Sequence, residues 1–336
     1  MGSYRLLLAV LVLLSHAGVS VYGYNPGVVA VISFFLLSGY VMTILIGRHY
    51  SSPGRVTDFY LDRAARLFPQ FLFYCAATGL LMATHHISSP FLGGCDATRI
   101  GMNLAMLPLG FFMSKGLGLG HCLIIPQAWS LGLELCFYIV APAIVLLPQA
   151  SRLAVCGSVI VFLAAYIGLI NTDTYGYRLL LGTFFIFSVG AAFADRSWLG
   201  TKFPWIIWSC AVALFAIIHV APPLLALSYN KEVLLGLIIG IPALGLLKSR
   251  QFSTLDEFLG NLSYGMFLNH FFCIWLIRFA FGLEIIGVQH YFLLLVLSTA
   301  MALVSYYIIE RPALRWRQAL RYQLSAVHEG EFIAAP

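Results

Sequence analysis

Arg5 and His16 stand eleven residues apart in a single apolar run, a spacing that on an α-helix is about 16.5 Å of rise and three turns to within about 20°. Both side chains therefore share one helical face. Ionisable groups held at such depth in an apolar segment are costly to maintain and are functional candidates by default. An imidazole can take a proton from a hydroxyl near neutral pH or carry an acyl group itself, and a guanidinium on the same stripe can grip an anion. Arg63 and Arg66 lie one turn apart in Phe59-Tyr60-Leu61-Asp62-Arg63-Ala64-Ala65-Arg66-Leu67-Phe68-Pro69, where together they can clamp phosphates; membrane anchoring explains either one alone equally well. Glu134 lies more than a turn inside the run that opens Trp129-Ser130-Leu131-Gly132-Leu133-Glu134 and continues to Tyr138. Left alone there, a carboxylate costs about 2.5 to 3.5 kcal/mol near a bilayer centre, so it requires a partner or a watered cavity, and an ion pair with a buried Arg or His is the plainer expectation. His270 closes the run Leu259-Gly260-Asn261-Leu262-Ser263-Tyr264-Gly265-Met266-Phe267-Leu268-Asn269-His270; a lone buried histidine is most simply a satisfied hydrogen-bonding group.

The elements that must position these residues are membrane helices. Hydrophobic residues make up 61% of the 336 and charged residues 10%, against about 25% charge in an ordinary soluble domain; the mean hydropathy is +0.91. Apolar runs near the 20 residues that cross a bilayer fall at 4–22, 27–47, 68–87, 127–148, 153–170, 179–195, 203–220, 232–248, 258–282 and 290–310. The fold expected is all-α and polytopic, with about ten transmembrane helices. With the N-terminus inside, fourteen of the Lys and Arg residues fall on the cytoplasmic side and four (Arg99, Lys115, Arg178, Lys231) on the other, leaving Arg278 within a span. This asymmetry places both termini in the cytoplasm and assigns the net charge of +6 to topology and anionic lipid headgroups, with no nucleic-acid partner.

A rival reading of the N-terminus is a secretory signal: Arg5, the apolar Leu6 to Leu14, and small residues at Ala17, Gly18 and Ser20 have that form, and cleavage there would remove His16. Residues 88–126 form a long Gly-rich outer segment around an apolar stretch, Met102 to Met113, that is short for a span and reads as re-entrant or interfacial. Cys95 and Cys122 both fall in it, where a disulfide is open to them in an oxidising compartment. A zinc site from His85, His86, Cys95, His121 and Cys122 matches no familiar ligand spacing, and no metal is expected. Trp129 suits the outer aromatic belt, and the small residues of Ser33-Phe34-Phe35-Leu36-Leu37-Ser38-Gly39-Tyr40 suit close helix packing. The integral-membrane domain is taken as 1–322, followed by a disordered cytoplasmic tail at 323–336.

Taken together and in order, Arg5 with His16, Phe34-Phe35-Leu36-Leu37-Ser38-Gly39-Tyr40, Arg63 and Arg66 before Leu67-Phe68-Pro69, Trp129-Ser130-Leu131 with Glu134 and Phe137-Tyr138, Leu259-Gly260 through Ser263-Tyr264 to His270, and Ile309-Glu310-Arg311-Pro312 resemble the acyltransferase 3 family. The likeness spans nearly the whole chain. That family comprises membrane O-acyltransferases, mostly bacterial, that acylate surface polysaccharides, lipopolysaccharides, peptidoglycan, Nod factors and some antibiotics. The chain departs from the family pattern at Asn269, where an aromatic residue often precedes the histidine, at Gly132 and Leu135, where more polar residues are common, and at Asp62, where a second basic residue is frequent. The hydrolase-like domain fused to some members has no counterpart here.

The resemblance implies an enzyme of the bacterial cytoplasmic membrane with acyl-CoA, most often acetyl-CoA, as co-substrate and no bound cofactor, and a hydroxyl of a polysaccharide, lipid-linked glycan or related acceptor as its other partner. It casts His16 and Glu134 as catalytic, Arg5, Arg63 and Arg66 as donor-binding, and Ser38, Tyr40, Trp129, Ser130, Tyr138, Tyr264 and His270 as lining the site. The principal alternative is a secondary transporter or flippase, since spans with buried Arg, His and Glu also describe a translocation path; the paired repeats and matching broken helices common in such proteins are not evident. A purely structural scaffold leaves the cost of burying His16, Glu134 and His270 unexplained.

Overall fold

The computed structural model describes residues 1–84, 89–195 and 199–319, and they fold as an all-helical bundle. Its main helices are α1 Gly2–His16, α2 Pro26–His49, α3 Val56–Thr84, α4 Ala97–Leu104, α5 Trp129–Leu146, α6 Pro148–Tyr166, α7 Leu180–Ala194, α8 Phe203–Val220, α9 Asn230–Leu247, α10 Thr254–Phe281 and α11 Tyr291–Ser305. Nine helical stretches among the described residues are long and apolar enough to cross a membrane. They coincide with all the expected spans but the first. The tail expected at 323–336 lies outside the described residues.

The first span is shorter than the apolar run suggested. α1 stops at His16 after 15 residues, about 22 Å against a hydrocarbon core of about 30 Å. It packs along α10 and α2 and buries Leu8, Ala9, Val12 and Leu13, so it is an inner helix of the bundle. Beyond it the chain turns through Gly18, which has φ +98°, and reaches Asn25, whose side chain accepts hydrogen bonds from Gly27 N at 2.9 Å and Val28 N at 3.2 Å. With Pro26 at its first position, this cap starts α2.

α2 is the axis of the bundle and contacts α1, α5, α7 and α9. Its crossing with α7 is made backbone to backbone. A Cβ built on Gly39 would lie 1.8 Å from Phe187 O, and one on Gly190 would lie 2.0 Å from Leu36 O. Small residues thus allow the approach that membrane helices use in place of a hydrophobic driving force. α3 runs unbroken through Pro69 from Val56, so Arg63 and Arg66 sit within the helix rather than ahead of it.

The 89–128 segment is neither a span nor an open loop. α4 is capped by Asp96, whose carboxylate accepts from Arg99 N at 2.8 Å, and is followed by 3-10 turns at Leu107–Phe111, Leu119–His121 and Pro126–Ala128. Cys95 and Cys122 form a disulfide. Buried Asn103 donates to Cys122 O at 2.8 Å and accepts from Ile124 N at 2.9 Å. Together these tie the segment into a cap over one end of the bundle. Of the zinc-site residues considered above, His85 and His86 lie outside the described residues.

Candidate active site

Among the described residues, cavities run into the bundle from opposite ends, and a pair of them holds the residues singled out above. The larger, about 400 Å³, lies where α1, α3 and α10 begin and is lined by Arg5, Ser38, Arg63, Arg66, Ser130, Glu134, Tyr138 and Tyr264 among others. The smaller, about 70 Å³, lies at the far end of α1 and is lined by Ser15, His16, Asn25, Gln127, Trp129, Tyr177, Arg178 and Tyr229. Val31, Ser130 and Phe267 line both. The helical face shared by Arg5 and His16 therefore connects them: α1 delivers the guanidinium to one cavity and the imidazole to the other.

In the larger cavity the three arginines are not alike. Arg63 is paired with the adjacent, fully buried Asp62, which Arg317 also approaches at 3.6 Å. Arg66 is paired with buried Glu310 and lies 5.2 Å from the ring centroid of Tyr264. Arg5 enters none of the ion pairs among the described residues. It is consequently the cation with the most capacity left for an anion from outside. Neither Asp62 nor Glu310 stood out as a site residue in the sequence, although Asp62 adjoins Arg63 and Glu310 lies in the last of the resembling motifs.

Glu134 forms no salt bridge among the described residues. Its carboxylate is satisfied by two hydroxyls, Ser38 Oγ at 2.6 Å and Tyr138 OH at 2.7 Å, the latter one turn away on α5. The expected ion pair with a buried Arg or His is corrected to this hydroxyl cradle. It leaves the carboxylate's charge uncompensated by contact, opposite the arginines that line the same cavity. Tyr264 OH donates to Leu67 O at 2.8 Å, which fixes its ring as a wall beside Arg66.

His16 closes α1 in the smaller cavity, and its partner is the other buried histidine. His270 Nε2 lies 3.0 Å from His16 Nδ1, with ring centroids 5.0 Å apart and planes 11° from parallel. Phe271 covers His16 from another side at 4.9 Å. When His16 donates from Nδ1 to His270, its Nε2 keeps a lone pair free to accept a proton, which is the tautomer a base requires. His270 itself lines neither cavity and is fully buried behind His16, so the expectation that it lines the site is corrected to one of support. His16 and Glu134, expected to share one centre, line separate cavities.

Two further expectations change. Tyr40 lines neither cavity and packs half-buried against the core. Trp129 is buried at 7% exposure instead of lying in an outer belt; its ring packs on Tyr177 at 5.0 Å and on the Arg178 guanidinium at 4.5 Å. Arg178 appeared in the sequence only as one outer cation, and Gln127 not at all. Their place in the wall around His16 comes from chain crossings that no local pattern encodes.

Local contacts account for the departures from the resembling pattern. A Cβ on Gly132 would lie 2.2 Å from Gly110 N, so only glycine lets the capping segment rest on α5. Asn269 joins α10 to α11 by donating to Ser298 O at 2.8 Å and accepting from Ser298 Oγ at 2.5 Å. Leu135 packs against the core, and Asp62 supplies the partner of Arg63.

The family model described as an acyltransferase domain matches residues 4–311. A protein of Aquifex aeolicus (strain VF5), described as uncharacterized, is 31% identical over 210 residues, covering 60% of this chain and 91% of its own. The exopolysaccharide production protein ExoZ of Rhizobium meliloti (strain 1021) is 26% identical over 307 residues, covering 89% of this chain and 93% of its own. No solved structure matches.

Proposed function

The chain belongs to the acyltransferase 3 family of integral-membrane proteins, and from that membership we propose that it is an O-acyltransferase moving an acyl group, acetyl in the simplest case, from a cytoplasmic acyl-CoA to a hydroxyl of a polysaccharide or lipid-linked glycan at the opposite membrane face. The observation that carries this reading is the pair of cavities that share the wall residues Val31, Ser130 and Phe267, with Arg5 lining one and His16 the other. Their sizes favour a division of labour, since about 400 Å³ suits the coenzyme end and about 70 Å³ only the reacting end of an acceptor. The 26% identity to a protein named for exopolysaccharide production supports a glycan acceptor.

In this reading the nucleotide phosphates meet Arg5, Arg63 and Arg66, where charge-assisted bonds to a guanidinium fork are strong. The extended arm of the coenzyme follows α1 toward the shared wall, a path of about 16.5 Å between the levels of Arg5 and His16. Glu134, held by Ser38 and Tyr138, balances the cationic mouth. The acceptor hydroxyl meets His16, which takes its proton as the oxygen attacks the thioester carbonyl. The carbonyl–sulfur bond then breaks and the thiolate leaves, regaining a proton as the free thiol. His270 holds the His16 ring in its orientation and stabilises the imidazolium formed in passing.

Orientation follows the same logic. The excess of Lys and Arg belongs to the end with the larger cavity, and the Cys95–Cys122 disulfide to the end with the smaller one, which suits an oxidising compartment. The protein would thus lie in a bacterial cytoplasmic membrane with the donor inside. Mass analysis of surface glycans decides the matter. Cells lacking the gene should lose one acyl mass from a glycan, wild-type protein should restore it, and His16→Ala at equal membrane abundance should not, because removing a general base costs about 10² to 10⁴ in rate. An unchanged glycan mass with altered glycan export would instead favour translocation.

A further inference from the structure

The wall around His16 holds two polar groups for which transfer chemistry alone gives no role. Gln127 is 2% exposed. Its amide nitrogen is tied to Phe267 O at 2.9 Å and Leu268 O at 2.8 Å, and its oxygen, Oε1, has no hydrogen-bond partner among the described residues. A buried carbonyl left so is costly to maintain without a ligand, and Gln127 lines the small cavity. Arg178 lines it too. The Arg178 guanidinium sits among the rings of Phe112, Trp129, Tyr177 and Tyr229 at 4.5 to 5.6 Å. Only its Nε is engaged, on Asp173 at 2.6 Å; the two terminal nitrogens form no hydrogen bond with the described residues. Tyr229, which completes the box, is held at φ +62°, a left-handed conformation that is unfavourable for a bulky residue and that clusters at ligand-binding sites.

Resting on the acyltransferase reading, we propose that Gln127 and Arg178 form the specificity subsite for the acceptor, and that the unit it takes is a neutral sugar with vicinal hydroxyls. One ring hydroxyl donates to Gln127 Oε1. Neighbouring ring oxygens accept from the terminal nitrogens of Arg178, and the apolar face of the ring packs on the aromatic wall. The remaining hydroxyl is thereby aimed at His16. Charge selects a neutral unit: the Asp173 carboxylate already balances Arg178, and Glu232 stands beside the cavity with Oε1 3.3 Å from Asn25 N. An acidic sugar would bring a third anion against one guanidinium.

The test uses purified full-length protein in nanodiscs, radiolabelled acetyl-CoA, and oligosaccharides released from the de-O-acylated surface polysaccharide of the source organism and separated into neutral and acidic fractions. Label is expected in the neutral fraction. Arg178→Lys, which keeps the charge facing Asp173 and the rings but loses the fork, should raise the acceptor KM about tenfold or more with donor KM and kcat within about twofold. Gln127→Met should act in the same direction. Without any donor, neutral oligosaccharide should slow hydrogen exchange across Tyr177–Arg178 in the wild type and not in Arg178→Lys. An unchanged acceptor KM in Arg178→Lys, or label confined to the acidic fraction, overturns the subsite while leaving the enzyme. Label in neither fraction, with no exchange protection, removes the acyltransferase reading and the subsite with it.

Discussion

His270 shows what residue-level chemistry adds to spacing. It touches His16 rather than the cavities, so in the proposed mechanism its part is to hold and polarise the imidazole. His270→Ala should lower kcat on the order of tenfold or more, in line with about 1 to 3 kcal/mol for a lost buried hydrogen bond, while both KM values stay within about twofold; a changed donor KM with normal kcat would contradict this support role. At the other cavity, the ion pairs decide which arginine is the cleaner reporter of the proposed donor binding. Arg66→Ala leaves Glu310 buried and unpaired, which costs about 3 to 5 kcal/mol, so its phenotype should include a lower melting temperature. Arg5→Ala strands no such partner. It should raise the donor KM about tenfold or more at near-normal stability, and titration of acetyl-CoA against purified variants checks it. Arg5 and His16 were legible because helical geometry converts eleven residues into one face. The His16–His270 contact spans 254 residues, and the cost of burying His270 pointed to a need for a partner without saying which. Ser130 was named from its motif, whereas Gln127, three residues earlier, carries no charge and no periodic signal.

At the scale of elements, nine of the spans were readable from hydropathy because the bilayer sets a length that composition must meet. α1 was drawn too long because the residues from Ala17 to Tyr22 remain largely apolar; a glycine turn, not a change in hydropathy, ends it. The 89–128 cap escaped for a related reason: its shape comes from the Cys95–Cys122 bridge and Asn103, and its seat on α5 from Gly110 and Gly132, none of which repeats with a helical or strand period. The small-residue run on α2 served two ends at once, with Gly39 packing on α7 and Ser38 holding Glu134. These separate cleanly by substitution. Gly39→Val should force α2 and α7 apart, costing about 1 to 3 kcal/mol and lowering the melting temperature by several degrees, because its Cβ would begin 1.8 Å from Phe187 O. Ser38→Ala, with no packing role of that kind, should alter kinetics at a near-normal melting temperature. Thermal unfolding followed by tryptophan fluorescence in detergent tests both, and an unperturbed Gly39→Val would show that the crossing has slack.

For the whole molecule, one polarity underlies the rest. The cationic cavity with Arg5, Arg63, Arg66 and Arg317 lies at the end where α1 and α10 begin, and the disulfide-closed cap, His16 and Arg178 gather at the other. Donor and acceptor could then approach from opposite faces and meet only at the wall of Val31, Ser130 and Phe267, so that the acyl group crosses most of the bilayer as part of the coenzyme arm instead of the coenzyme crossing whole. This requires a fixed orientation, which the charge asymmetry of fourteen to four is sufficient to set. Green fluorescent protein fused before Met1 or after Pro336 should therefore fluoresce, and alkaline phosphatase inserted after Gly116 should be active, since the first matures in the cytoplasm and the second only in an oxidising compartment. Phosphatase activity at either terminus would reverse the molecule and put the arginines of the larger cavity on the side that holds no acyl-CoA. Moving four or more of the fourteen arginines and lysines assigned to the cytoplasmic side to the cap should weaken the orientation in proportion, and activity should fall with the fraction of inverted molecules rather than with any change at His16.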